Sequence, residues 1–159
     1  MYKHTILFFI IFAFVEVQAY MFSPTDVLSV PQATTKGEDQ LTLTISIRNI
    51  RYTNTVRIGI FTSKETFLQE TKALRNYTVR PSNRKTADIA ITDLPSGEYA
   101  IAIYQDLNED THFDRNFLGI PIEPYGVSNN IKPMFAPPNY NDCRFQHLIS
   151  QTHIIYLLE

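Results

Sequence analysis

A single cysteine in 159 residues leaves no partner for an intrachain disulfide, so the fold has to be held by buried apolar surface. Cys143 also lacks the Leu-x-x-Cys context near the N-terminus that would make it a lipid anchor. Between Asp142 and Arg144 it reads as a small buried hydrophobe, ahead of a reactive or dimer-forming thiol. A basic surplus is missing too: 14 Lys and Arg against 16 Asp and Glu leave a net charge of -2, which excludes the positive footprint that nucleic acid requires. No apolar run reaches the ~20 residues of a membrane-spanning helix, the longest extending from Ile6 to Val15 before Glu16 ends it. There is no Gly-x-Ser-x-Gly, no phosphate-cradling glycine loop and no Cys–His partnership. His4 belongs to the N-terminal leader, and His112, His147 and His153 have no companion at zinc-site spacing.

What is present begins with export. Lys3 precedes the apolar run, and Val17-Gln18-Ala19 supplies the small-x-small pattern that export peptidases cut. The expectation is a signal peptide over residues 1–19, a mature chain starting at Tyr20, and a secreted or periplasmic protein with no transmembrane anchor after cleavage; an uncleaved N-terminal anchor is the alternative. Residues 20–40, with Pro24, Pro31 and the polar stretch TTKGEDQ, form an N-terminal arm. Residues 41–159 then make one domain, large enough to bury its own core.

That domain alternates with period two. In LTLTISIRN the residues Leu41, Leu43, Ile45 and Ile47 interleave with polar ones, and VRIGIFT over 56–62 repeats the device after a polar turn, which predicts a hairpin. SKETFLQETKALRN offers Ser63 as an N-cap and Phe67, Leu68, Thr71 and Leu74 at helical spacing, predicting one short helix. Asn76-Tyr77-Thr78 is a glycosylation sequon, read simply as an Asn in a loop. ADIAI (87–91) runs through the turn Asp93-Leu94-Pro95-Ser96-Gly97 into EYAIAIYQ (98–105), apolar on nearly both faces and therefore central. Two more strands are expected near 143–148 and 153–158. The fold class is all-β: a single antiparallel β-sandwich of about seven strands, transthyretin- or immunoglobulin-like, with one short helix.

Charge is partitioned along the chain. Nine basic and two acidic residues lie between Arg48 and Lys85, while eight acidic residues and Arg115 alone lie between Thr86 and Tyr125. The reading is that the two segments lie side by side and attract each other, ahead of an anionic partner steered to one face.

Directly after the central strand comes QDLNEDTHFDRN. Alternate oxygen-bearing side chains on a curled loop converge on one point, as in calcium loops: Asp106, Asn108 and Asp110 fill positions one, three and five, His112 offers its carbonyl at seven, and Asp114 fills nine. Thr111 stands at the sixth position, where glycine usually makes the sharp turn, and Phe117 at the twelfth, where a bidentate carboxylate belongs; Glu123 or Asn116 is then needed to complete the shell. Two other uses of the same letters stay open: bracing of the loop by side chain to backbone bonds without an ion, or a carboxylate pair such as Asp114 and Glu123 for acid–base glycoside chemistry. Among the aromatics, Tyr99, Tyr104 and Tyr125 are candidates for a binding groove, although strand-spaced aromatics usually pack.

The run LPSGEYAIAIYQDLNEDTHFDRNFLGIPIEPYGVSNN, followed by FAPPNYNDCRF, closely resembles the bacterial exported family catalogued as domain of unknown function 2141, over roughly residues 41 to 158. The resemblance implies a secreted or periplasmic all-β domain, and the LPSGEY turn is similar to that of transthyretin-like sandwiches. Asp106, Asn108, Asp114, Asn116, Gly119, Pro121, Glu123, Tyr125, Gly126, Ser128, Asn129 and Asn130 match the family's motif. Asp110 stands where the family usually has Asn, and Thr111-His112 replaces a typical Gly-Lys.

The resulting expectation is a non-enzymatic exported binding or structural module. Its metal residues are Asp106, Asn108, Asp110, His112, Asp114 and Glu123, with Ca²⁺ as the ion. Its contact surface for an exported protein or small ligand comprises Asn116, Gly119, Pro121, Tyr125, Gly126, Ser128, Asn129 and Asn130. A carboxylate-dependent secreted hydrolase and a purely structural envelope partner are the alternatives.

Overall fold

The computed structural model describes residues 40–134 and 136–159. The expected signal peptide and all but the last residue of the expected arm lie outside them. Among the described residues eight strands form two sheets: β1 (Leu43–Arg48), β2 (Val56–Phe61), β3 (Arg75–Val79), β4 (Thr86–Ile91), β5 (Gly97–Gln105), β6 (Tyr125–Val127), β7 (Phe145–His147) and β8 (Gln151–Tyr156). One sheet has the order β4-β1-β8; the other has β3-β2-β5-β6, with β7 pairing the start of β5. The all-β sandwich is therefore as the sequence patterning indicates. One pairing departs from the antiparallel expectation, because β1 and β8 run parallel, Leu43 opposite Gln151 through Arg48 opposite Tyr156. No helix among the described residues is long and apolar enough to cross a membrane.

Period-two alternation turns one face of each strand inward. Leu43, Ile45 and Ile47 of β1, Ala87 and Ile91 of β4 and Ile155 of β8 meet Val56, Ile58 and Ile60 of β2 and Ile101 and Ile103 of β5. Each fully buried Ile or Leu contributes on the order of 2 kcal/mol of transfer free energy. The outer face of the β2–β5 sheet is covered as well, by a smaller cluster of Phe61, Phe67, Ala100, Val127, Tyr140 and Cys143. The Cys143 thiol is buried there, and burial pushes it up to about 12, which makes it an inert packing group.

Two local expectations are corrected. β1 and β2 form no hairpin: β1 pairs with β4 and β8, β2 with β3 and β5, and the link between them passes from one sheet to the other. Alternation defines a dry face but not the neighbour that shares it. The segment expected to be helical contains turns and a single 3₁₀ turn at Glu70–Lys72. Leu68 adopts φ 64, which no right-handed helix accommodates, and Leu74 is exposed, so the apolar stripe that would dock a helix is incomplete. Among the described residues the one short α-helix is α1 (Tyr140–Cys143), capped by Asn139, whose side chain accepts from the Asp142 amide.

The oppositely charged segments do lie together. Arg48–Asp88, Arg57–Asp106, Arg75–Asp93 and Arg80–Glu109 each join one basic and one acidic residue of the two stretches.

Candidate functional site

β5 ends at Gln105, and the chain curls through residues 106–124 before returning as β6. Two buried carboxylates shape this loop from within. Asp106, fully buried, accepts through Oδ2 from Arg57 Nε at 2.6 Å and from the Thr111 amide at 3.0 Å. Burial alone would raise its carboxyl, but the Arg57 guanidinium and the Thr111 amide outweigh that and hold it below the usual carboxylate range. Glu123, 4% exposed, accepts from the Leu107 amide at 2.8 Å through one oxygen and from the Asp114 amide at 3.1 Å through the other. Its burial, reinforced by the charges of Asp106 and Asp114 and opposed by those two amides, raises its carboxyl.

On the exposed side three predicted residues converge. The Asn108 Nδ2 amide donates to Asp110 Oδ2 and to Asp114 Oδ2, both at 2.9 Å, while Asn108 Oδ1 accepts from the Asp110 amide and Asp110 Oδ1 from the His112 amide. Thr111 takes φ 77, the left-handed conformation that glycine would supply at that position of a calcium loop. Of the six predicted ligands, then, Asn108, Asp110 and Asp114 share one space. Asp106 and Glu123 are instead spent on Arg57 and backbone amides; the His112 ring, which the expectation did not use, lies 3.6 Å from Glu70 Oε2. Asp106 Oδ1 is buried with no hydrogen-bond partner. Among the described residues no group of three or more His, Cys, Asp or Glu has metal-binding geometry; here the convergence is of two carboxylates and one amide, and a half-turn of the Asn108 amide would present its oxygen to both carboxylates.

Residues outside the sequence prediction complete the loop. Glu109 accepts from the Thr55 amide at 3.1 Å and from Arg80 at 2.9 Å, and Glu70 Oε1 accepts from the Phe113 amide at 2.7 Å. Arg57 had a partial signal, being an outward-facing cation on a strand between the apolar Val56 and Ile58. Glu70 and Thr55 had none, since they reach the loop from distant parts of the chain.

The predicted contact residues divide in two. Asn116 shapes the tip, its Oδ1 accepting from the Leu118 and Ile120 amides at 2.9 and 3.0 Å, with Gly119 at φ 78 between them. Phe117, Leu118, Ile120 and Ile122 are thereby held outward, 94%, 67%, 55% and 59% exposed. Pro121 and Tyr125 line a groove of about 660 Å³ together with Tyr104, Phe113 and Met134, over the outer face of the β2–β5 sheet. Tyr99 does not join them; it sits in the core and donates to the Pro95 carbonyl. The other four hold the fold. Gly126 and Ser128 are buried, and Ser128 Oγ accepts from the Ile101 amide and donates to the Cys143 carbonyl. Asn129 donates to the Asp142 and Arg144 carbonyls, and Asn130 bonds both the carbonyl of Ile154 and the amide of Tyr156.

The sequence profile of the family described as an uncharacterized protein conserved in bacteria (DUF2141) matches residues 45–155. No curated protein and no solved structure matches the chain. The match covers the sandwich, the acidic loop and the groove, and the chain belongs to that family.

Proposed function

We propose, taking that membership as the premise, that this protein is an exported, non-enzymatic β-sandwich binding module whose 106–116 loop takes up a calcium ion and presents the adjoining groove and apolar tip to a ligand or partner. The observation that carries the reading is the meeting of Asp110 Oδ2 and Asp114 Oδ2 at a single amide, each 2.9 Å from Asn108 Nδ2. Two carboxylate oxygens held this close repel each other unless a positive or donor group sits between them, and a hard divalent cation serves better than a neutral amide. The left-handed Thr111 supports the same reading. The ion would sit on the exposed side of the loop, held by Asn108, Asp110 and Asp114 with water completing its shell.

The hydrolase alternative is disfavoured by Glu123. Both its oxygens are occupied by backbone amides and it is buried, so it faces no substrate with which Asp114 could share acid–base work.

Thermal unfolding with calcium and with chelator tests the proposal. An ion at 100 times its Kd stabilises by about 2.7 kcal/mol, a rise of roughly 10 °C for a domain of this size. The double variant Asp110→Ala with Asp114→Ala should lose the rise and keep the fold. Equal midpoints for the native chain in both conditions would remove the ion.

A further inference from the structure

The groove has a low apolar floor and one cation on its wall without a counter-charge, and we propose that it binds an amphiphilic carboxylate: one apolar chain or ring bearing a single acid group. This rests on the binding-module reading but not on the calcium ion.

The floor follows from strand register. Gly59 of β2 lies opposite Ala102 of β5, and both turn outward; the Phe61 ring covers Gly59, and the low part of this sheet face is the methyl group of Ala102. To one side stand Phe61, Phe67 and Tyr140, packed edge to face with ring centroids 5.5 and 5.9 Å apart. To the other stand Tyr104, Phe113 and Tyr125, at 5.3 and 5.7 Å. A trough bounded by two aromatic ridges remains. Its volume of about 660 Å³ falls within the range of roughly 300 to 1,000 Å³ typical of small-molecule sites. A Cβ at position 59 would lie 2.8 Å from the Phe61 ring, so glycine there lets that ring lean over the strand at the edge of the trough.

Charge selects the ligand class. Tyrosines apart, four charged or titratable side chains line the groove: Arg57, Glu70, His112 and Arg115. Arg57 is paired with buried Asp106. Glu70 is engaged by the Phe113 amide and faces His112. Arg115 has no ion pair among the described residues; its guanidinium lies 5.2 Å from the centroid of the Phe113 ring. Stacking of that kind orients the planar cation on the ridge while its N–H edge stays free, and that edge matches the two oxygens of a carboxylate. A cationic amphiphile would set its charge against the uncompensated Arg115. A neutral one would cover Arg115 without compensating it, so one acid group beside an apolar body fits the inventory.

The probe is dodecanoate below its micellar concentration, titrated calorimetrically against the purified protein in calcium and again in chelator, with dodecanol and dodecyltrimethylammonium as neutral and cationic counterparts. Expected is saturable 1:1 binding of dodecanoate and at least tenfold weaker binding of the other two. Arg115→Gln, at an exposed position, should weaken dodecanoate about tenfold and leave dodecanol unchanged. Ala102→Leu, which fills the floor, should weaken both. Absence of saturable binding in either buffer, equal affinity for dodecanol, or an Arg115→Gln variant that binds as the native chain does would each overturn the inference. A calcium-dependent melting shift without dodecanoate binding would remove this inference and leave the ion reading standing.

Discussion

The carboxylate of Asp106, fully buried at the end of β5, is held 2.6 Å from the Arg57 guanidinium on the neighbouring strand β2. The pair is asymmetric, since the Arg57 side chain is still a quarter exposed. Arg57→Gln would leave the Asp106 carboxylate in the interior with only the Thr111 and Glu109 backbone amides for compensation. Loss of a buried partner costs about 3–5 kcal/mol, and the exposure of Arg57 brings the expectation to about 2–3 kcal/mol by urea unfolding. Because the Asp106 carboxyl is depressed in the folded state, its contribution is present above the unfolded carboxylate range and is lost as pH falls through the folded value. The Arg57→Gln protein should therefore lose less stability on acidification below pH 4 than the native chain.

Thr111 is a β-branched residue at φ 77. That conformation costs a non-glycine residue about 1–2 kcal/mol, offset in part by the greater freedom glycine has when unfolded. Thr111→Gly should raise stability by about 0.5–1 kcal/mol in denaturant titrations. A destabilised variant would show that the threonine side chain holds the loop by contacts of its own.

Gly126 lets β6 come against β8. A Cβ there would lie 2.8 Å from Ile155 Cγ2 and 2.9 Å from the Tyr156 carbonyl oxygen, where the Tyr125–Leu158 bridge joins the two sheets. Gly126→Ala should destabilise by about 1–3 kcal/mol, read as a lower melting midpoint. Gly119→Ser at the exposed tip meets nothing within 4 Å and should cost only the positive-φ strain, about 1 kcal/mol.

His147 is fully buried at the β7–β5 pairing, and burial lowers its imidazole; His153 is lowered by burial and by its proximity to His147. At neutral pH both states are unprotonated there and nothing changes. Below about pH 6.5 the unfolded chain takes up protons that the folded chain resists, so stability falls as pH drops from 6.5 toward 5. Urea midpoints at pH 7.5, 6.0 and 5.0 should show that decline, and His147→Leu should flatten it. A native midpoint that stays constant over the window would contradict the assignment.

Strands whose apolar residues alternate with polar ones were legible: β1, β2, β4 and β5 appear where Leu43 to Ile47, Val56 to Phe61, Ala87 to Ile91 and Tyr99 to Gln105 put them. β3 was not, because RNYTV is polar and half exposed and its strand state comes from pairing with β2. β6, three residues long, gave no periodic signal. Within the acidic loop, the convergence of Asn108, Asp110 and Asp114 followed from spacing alone. The withdrawal of Asp106 and Glu123 to Arg57 and to backbone amides did not, since those partners are 49, 16 and 9 positions away along the chain or are main-chain groups that carry no letter.

The chain by itself determined the dry face of each main strand, the attraction between its basic and acidic stretches and the loop where oxygen-bearing side chains gather, because these are matters of local period, charge and short-range turn chemistry. Tertiary structure alone decided that β1 and β2 enter different sheets, that β8 runs parallel to β1, and that Gly59 and Ala102 meet to leave a trough beside Arg115. The reason is that hydrophobic burial is non-directional: it says which side of a strand must be covered, while register and steric fit between distant segments choose what covers it.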